Sequence, residues 1–279
     1  YDAARAALDA AAAEAGGYME SSSEYSGTED SRSVSLTFRV PQKNYASFLA
    51  AVAEAGNVTY KNQQADDVTA QYMDVEARLE NLKAIGTNAI RMSHNPQAPV
   101  LYDLCDEMGL LVMDEVSDEW EFPKRKWLEG WNVGTPGYDG SFDFFEEWIE
   151  TDITDMVRRD RNHTSIFLWS IGNEVDYPND PYSHPVLDGS SINQPMFGGY
   201  KPEAPDAMRI GKIAKRLAAC VRAVDTSRPT TGALAGVVMS NETEYPEAVD
   251  VVGYNYTEDR YARDHATYPS RIIYGSENN

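Results

Sequence analysis

Two glutamates, each placed just beyond a short apolar run, offer the first chemistry in this sequence. Ser165 to Ile171 leads into Gly172-Asn173-Glu174, and Arg271 to Tyr274 leads into Gly275-Ser276-Glu277-Asn278. Other apolar runs end in Ser93-His94-Asn95-Pro96, Asp114-Glu115 and Asn255-Tyr256. If these runs are strands of one parallel barrel, their C-terminal ends share the rim where such barrels do their chemistry. Breaking a glycosidic bond needs one carboxylic acid to protonate the leaving oxygen and one carboxylate to meet the oxocarbenium-like centre. Glu174 and Glu277 supply such a pair. A single Asn-Glu pair at a strand end is as readily a buried structural pair. Two strand-end glutamates beside a His, an Asn and a Tyr shift the balance toward a glycosidase site.

The elements that must position these residues are legible as a pattern. From Thr87 onward, short apolar runs alternate with amphipathic stretches, as in successive βαβ units. Strands are predicted at 88–92, 110–114, 165–171, 230–234, 249–254 and 271–274, with helices at 98–108, 142–158 and 207–224 among them. Six strands without a Gly-rich nucleotide loop favour a barrel over a dinucleotide fold. Upstream, Ala-rich residues 2–15 predict a helix stopped by Gly16-Gly17. Residues 18–25 and 33–40 read as a strand pair, the second alternating Val34, Leu36, Phe38 and Val40 on one face. Helices at 44–55 and 68–84 flank a possible strand at 57–62. The expected fold class is therefore α/β: an incomplete (β/α)8 TIM barrel over residues 83–279, preceded by a small α+β domain over residues 1–82. All five tryptophans lie in the second part.

Composition removes several function classes. The net charge of -21 repels a phosphate backbone or an anionic membrane surface, so nucleic acid is not an expected partner. No apolar run approaches the ~18 residues of a membrane span. Cys105 and Cys220 fall in predicted helices and read as free thiols, with no CxxC motif. No charged, apolar leader is visible at the start, which leaves the compartment open between the cytoplasm and the bacterial surface or exterior.

Residues 83–279 resemble the catalytic barrel of glycoside hydrolase family 2, and most closely its bacterial β-galactosidases. One signature of that family runs from Asn88-Ala89-Ile90-Arg91 through Ser93-His94 and Pro96 to Asp106 and Gly109-Leu110-Leu111-Val112-Met113, with departures at Met92 and Asn95. A second runs from Asp160-Arg161-Asn162-His163 through Trp169-Ser170 to Asn173-Glu174. Residues 1–82 resemble an anonymous domain of bacterial lipoproteins and surface proteins, through Gly16-Gly17-Tyr18 to Val75-Glu76-Ala77-Arg78-Leu79; this part shows no catalytic constellation.

The family resemblance implies a retaining mechanism acting on a β-galactoside or related carbohydrate. Glu174 would be the general acid/base and Glu277 the nucleophile, with carboxyls about 5–5.5 Å apart. Asn173 would bind the sugar 2-hydroxyl, His94 another ring hydroxyl, and Tyr256 would hydrogen-bond the nucleophile. Arg91, on the strand before His94, would support Glu277. His163, which precedes its strand, reads as a structural hydrogen-bonder, and Trp120 and Trp131 as packing under a loop more readily than as sugar platforms. Asp114, Glu115, Asp118 and Glu119 could hold a hard cation, as in relatives that carry a His two residues after the equivalent of Glu119. That position is Glu121 here, so neither a metal site nor any cofactor is expected.

By the same resemblance a first strand before residue 83 and a last strand after Asn279 would be lacking, leaving open sheet edges. The pattern Leu79, Leu82, Lys83, Gly86 fits the end of either part, so a spliced or fragmentary origin is one expectation. The competing function is a non-catalytic surface protein with at most weak sugar affinity. Asn-X-Ser/Thr triplets at Asn57, Asn162 and Asn241 mark only possible glycosylation.

Overall fold

The computed structural model describes residues 2–26, 32–56, 69–137, 140–188 and 198–278, which fall into two compact units, Tyr1–Asp67 and Val68–Asn279. In the first unit, α1 (Asp2–Glu14) is followed by an antiparallel pair, β1 (Tyr18–Ser26) and β2 (Arg32–Arg39), and by α2 (Tyr45–Ala55). The alternation read in β2 appears as half-buried Leu36 and Phe38 against exposed Ser35, Thr37 and Arg39. Phe38 and Val40 pack with Ala11, Ala12, Ala15 and Phe48 in a small core of their own. The strand expected at 57–62 lies outside the described residues.

The second unit begins with α3 (Thr69–Ala84) and β3 (Ala89–Arg91), then α4 (Pro99–Met108) and β4 (Leu111–Glu115). There follow α5 (Arg125–Glu129), α6 (Phe145–Asp160), β5 (Ile166–Asn173), α7 (Met208–Val224) and β6 (Thr230–Leu234). The short helices α8 (Val237–Ser240) and α9 (Tyr245–Ala248) precede β7 (Val251–Asn255), α10 (Tyr261–Thr267) and β8 (Ile273–Glu277). The six strands form one parallel sheet in sequence order, β3-β4-β5-β6-β7-β8. A doubly wound fold would reverse that order at a switch point. Strict succession instead gives the incomplete (β/α)8 barrel expected, with β3 and β8 as its edges among the described residues. Inner strand β6 is buried throughout, while β8 is half-buried along its length, as an edge requires.

Helical spacing explains how the outer layer attaches. In α6, Phe145, Ile149, Ile153, Met156 and Val157 form a buried stripe; in α7, Ile210, Ile213, Ala214, Leu217 and Val221 do the same. Each large side chain so buried contributes roughly 1.5–3 kcal/mol. Pro99 opens α4, and Gly109 closes it with φ 70°, a left-handed turn that costs glycine little. Helix α3 presents Tyr72, Val75, Leu79 and Leu82 to this core. The compact units accordingly divide between Asp67 and Val68, ahead of the division expected at residue 82. The physical reason is that α3 lays its apolar stripe on the barrel side.

At the N-terminal end of β5, Asp106 accepts from the Ser165 N–H at 2.6 Å and pairs with His163 Nδ1 at 2.8 Å, so His163 is structural. Buried Asp225 accepts from Trp169 Nε1 at 3.0 Å and from Arg228 at 2.7 Å, tying the strand to the end of α7. Cys105 is buried in α4 and Cys220 half-buried in α7, both as free thiols. Among the described residues no helix is long and apolar enough to cross a membrane.

Candidate active site

Arg91, the last residue of β3, organises the C-terminal rim of the sheet. Its guanidinium donates to Glu115 Oε2 at 2.7 Å, to Asn173 Oδ1 at 2.8 Å and to Glu277 Oε1 at 2.6 Å, joining the ends of β3, β4, β5 and β8. Burial alone would pull the guanidinium down, but the Glu115 carboxylate and then Glu277 outweigh it, and Arg91 stays above its ordinary value. A planar fork with five donors is suited to such a junction.

Glu115 ends β4 with no solvent exposure. Besides Arg91 it meets His94 Nδ1 at 2.8 Å and accepts from Ser170 Oγ at 2.6 Å. A buried carboxylate is stable only with such partners. His94 is thereby oriented, its Nε2 lying 3.8 Å from Glu277 Oε1. The sequence places Glu115 at a strand end and among possible cation ligands, without assigning it to the site. The signal for its actual place was the pairing of β3 with β4, which sets Arg91 opposite Met113, two residues before Glu115.

The two candidate catalytic carboxyls occupy different surroundings. Glu277 takes Arg91 on one oxygen and the Tyr256 hydroxyl, at 2.6 Å, on the other. That hydrogen bond, with burial, pushes the Tyr256 phenol up to about 12, so it remains a donor across ordinary pH. Glu174 is half-buried and accepts one side-chain hydrogen bond, from Asn255 Nδ2 at 3.3 Å. Burial raises its carboxyl above the usual range, Lys124 pulls it back, and the charge of Glu277 raises it further. Two titratable groups in such contrasting environments have the asymmetry of an acid and a nucleophile.

Local backbone geometry aims these groups. The β5–β6 and β7–β8 registers shift at Ser170/Asn173 and Tyr254/Asn255, and Glu174 and Tyr256 follow in left-handed backbone with φ 47° and 53°. Bulges of this kind re-aim side chains at sheet rims, and each left-handed residue other than glycine costs about 1–3 kcal/mol. The Glu174 N–H donates to Ala233 at 2.7 Å, and the Tyr256 N–H to the Glu277 carbonyl at 2.9 Å. Asn255, missed as a site residue, bridges Asn173 and Glu174 and accepts from Ser276 Oγ at 2.6 Å.

The acids considered for a cation have protein partners. Asp114 accepts from Tyr102 at 2.7 Å, Asp118 pairs with Lys124 and Lys126, and Glu121 pairs with Arg209. Glu119 accepts from the Lys124 and Phe142 N–H groups, and burial pushes its carboxyl up to about 7. Among the described residues no three His, Cys, Asp or Glu side chains gather to hold an ion. Trp120 is buried, donates to the Ile171 carbonyl at 3.1 Å and packs near Phe145 and Tyr245. Trp131 lies edge-on to Tyr177.

Known proteins place this rim in a family context. Residues 61–263 match "Glycosyl hydrolases family 2, TIM barrel domain", and residues 1–91 match a domain of unknown function, DUF4349. β-Galactosidase BoGH2A of Bacteroides ovatus is 34% identical over 209 residues, covering 74% of this chain and 23% of that protein. A putative β-glucuronidase of Formosa agariphila is 47% identical over 98 residues, 35% of this chain and 8% of its own. Among solved structures, a glycosyl hydrolase family 2 member from Bacteroides cellulosilyticus superposes with TM-score 0.55 at 30% identity, covering 74% of this chain and 21% of that one. Bacteroides uniformis β-glucuronidase gives TM-score 0.55 at 26% identity, with 74% and 22% covered. The chain thus spans less than a quarter of the length of these relatives. The family match takes in β3 through β7 and, with them, Arg91, His94, Asn173 and Glu174, and on that ground the chain belongs to glycosyl hydrolase family 2.

Proposed function

We propose that the barrel hydrolyses terminal β-galactosides as a retaining exo-glycosidase. The observation that carries this reading is the Arg91 junction, which ties Glu277 to Asn173 and so to the residue before Glu174. In the first step a Glu277 oxygen attacks the anomeric carbon while Glu174 gives its proton to the departing glycosidic oxygen. The C–O bond to the aglycone breaks and a glycosyl ester of Glu277 forms. In the second step the Glu174 carboxylate takes a proton from water, the water oxygen attacks the anomeric carbon, and the ester bond breaks to restore both groups. Two inversions give net retention.

The remaining residues have roles consistent with their contacts. Tyr256 and Arg91 hold Glu277 in line for attack, and His94, oriented by Glu115, faces the same oxygen. Asn173 uses one amide N–H on Asp118 at 2.9 Å, which leaves the other for the sugar 2-hydroxyl. Galactose as the sugar is supported by the 209-residue likeness to BoGH2A, while other relatives bear the name β-glucuronidase.

A second reading, a surface protein with no turnover, rests on the resemblance of residues 1–82 to a domain of bacterial surface proteins; the family model matched there, over residues 1–91, is of unknown function. Hydrolysis of aryl β-galactoside, β-glucuronide and β-mannoside by the purified chain decides between them. Turnover of the galactoside, abolished by Glu277→Gln and lowered by Glu174→Gln to an extent set by the leaving group, is the expected result. A folded chain that hydrolyses none of the three overturns it.

A further inference from the structure

The peptide between Asn173 and Glu174 is held at both ends. Its N–H donates to the Ala233 carbonyl at 2.7 Å, and its carbonyl accepts from Lys124 Nζ at 2.8 Å. Lys124 reaches in from the loop after β4, with its side chain only 5% exposed, and also contacts Asp118 Oδ1 at 3.1 Å. Asp118 in turn takes the Asn173 amide and pairs with Lys126. An ammonium so deeply buried is costly unless its partners are fixed. Here one of those partners is the peptide whose orientation goes with the left-handed backbone of Glu174, φ 47°.

We propose that Lys124 is a positioning residue for the acid/base: its ammonium fixes the Asn173–Glu174 peptide so that the Glu174 carboxyl is aimed into the barrel mouth. The inference deepens the glycosidase reading and rests on it for the role of Glu174. The charged or titratable groups facing Glu174 are Lys124 from the β4 loop, Glu277 from β8, Tyr256 after β7 and Asp176 after β5. Those facing Lys124 are Asp118, Glu119, Asp180 and Glu174. Of the groups around Glu174, Lys124 is the cation with the largest pull on its carboxyl, so its removal takes away the main positive charge that opposes burial.

The test is a ¹³C NMR titration of the Glu174 carboxyl in the full chain, assigned with Glu174→Gln. In Lys124→Met the midpoint should rise by about one pH unit. An unchanged or lower midpoint overturns the proposal. Should Lys124→Met fail to fold, Lys124→Gln decides instead, with the same rise in the Glu174 midpoint expected and an unchanged or lower midpoint overturning the proposal. In the same Lys124→Met protein the alkaline limb of kcat/KM for an aryl β-galactoside should move up with the midpoint, which a purely structural defect would not produce. If Glu174 titrates as expected in a folded chain that hydrolyses no glycoside, the glycosidase reading fails, and only the coupling of the Lys124 charge to the Glu174 carboxyl stands.

Discussion

Arg91 and Tyr256 contact the same carboxylate from opposite sides, and their removal should be felt differently. Tyr256→Phe deletes one hydrogen bond to a charged oxygen, worth about 1.5–3 kcal/mol. A fall in kcat/KM of about 10- to 100-fold with little change in folding is expected, and steady-state kinetics beside thermal unfolding will check it. Glu174→Gln should cost about 10²–10⁴-fold for a phenyl galactoside, yet far less in the glycosylation step for a dinitrophenyl galactoside, whose leaving group needs no proton. A Brønsted series over leaving groups reads this directly. At this scale, the sequence singles out Glu174, Glu277, His94, Asn173, Tyr256 and Arg91 as candidates, and the structure gathers them at the C-terminal rim of one sheet. Glu115 and Asn255 were passed over because their importance lies in which neighbours they touch across strands. Asn255 bridges β7 to β5, a pairing no linear spacing displays.

Elements place these residues through tight packing behind the sheet. A Cβ on Gly232 in β6 would lie 2.1 Å from the hydroxyl of fully buried Tyr245. Gly232→Ala should therefore destabilise the barrel by about 1–3 kcal/mol, measurable by urea unfolding. Tyr245 Oη itself is buried without a hydrogen-bond partner among the described residues. Tyr245→Phe should raise stability by about 1 kcal/mol and relieve part of the Gly232→Ala defect in the double variant; additive losses would contradict the packing described. The six strands and three long helices were legible because apolar runs and helical stripes are strong periodic signals. Helices α5 and α10 were not, since five and seven residues are too few to show a period. The division near residue 82 was displaced because the stripe of α3 is equally able to serve either neighbour, and only packing assigns it.

Across the whole molecule, acid dominates, and several buried acids retain protons well above their usual range. Burial pushes Glu119 up to about 7 and raises Asp114 as well. A native carboxyl that binds its proton more tightly than the unfolded chain contributes stability below the unfolded pKa of about 4, and loses it as pH rises through the native value. Each such group should lower stability between about pH 4 and 7, by at most about 1.4 kcal/mol per pH unit. In Glu119→Gln the difference in urea midpoint between pH 5 and pH 8 should shrink; an unaltered difference would contradict the burial of this carboxyl. Below that window, Asp225 acts oppositely. Burial would raise it, but Ser227, Arg228 and Trp169 hold it well below the ordinary range, so its contribution is lost only as pH falls through that depressed value. The fold class was legible at this scale from the succession of strands, whereas the choice of sugar was not, because loops rather than the shared carboxyl chemistry set it. The central claim is that Glu277 attacks the sugar. Incubation with 2-deoxy-2-fluoro-β-galactosyl fluoride, followed by digestion and mass spectrometry, tests it most directly. The expected result is one fluorogalactosyl adduct on the peptide carrying Glu277, lost in Glu277→Gln; an adduct on another carboxylate such as Glu115, or none on the folded chain, would contradict it.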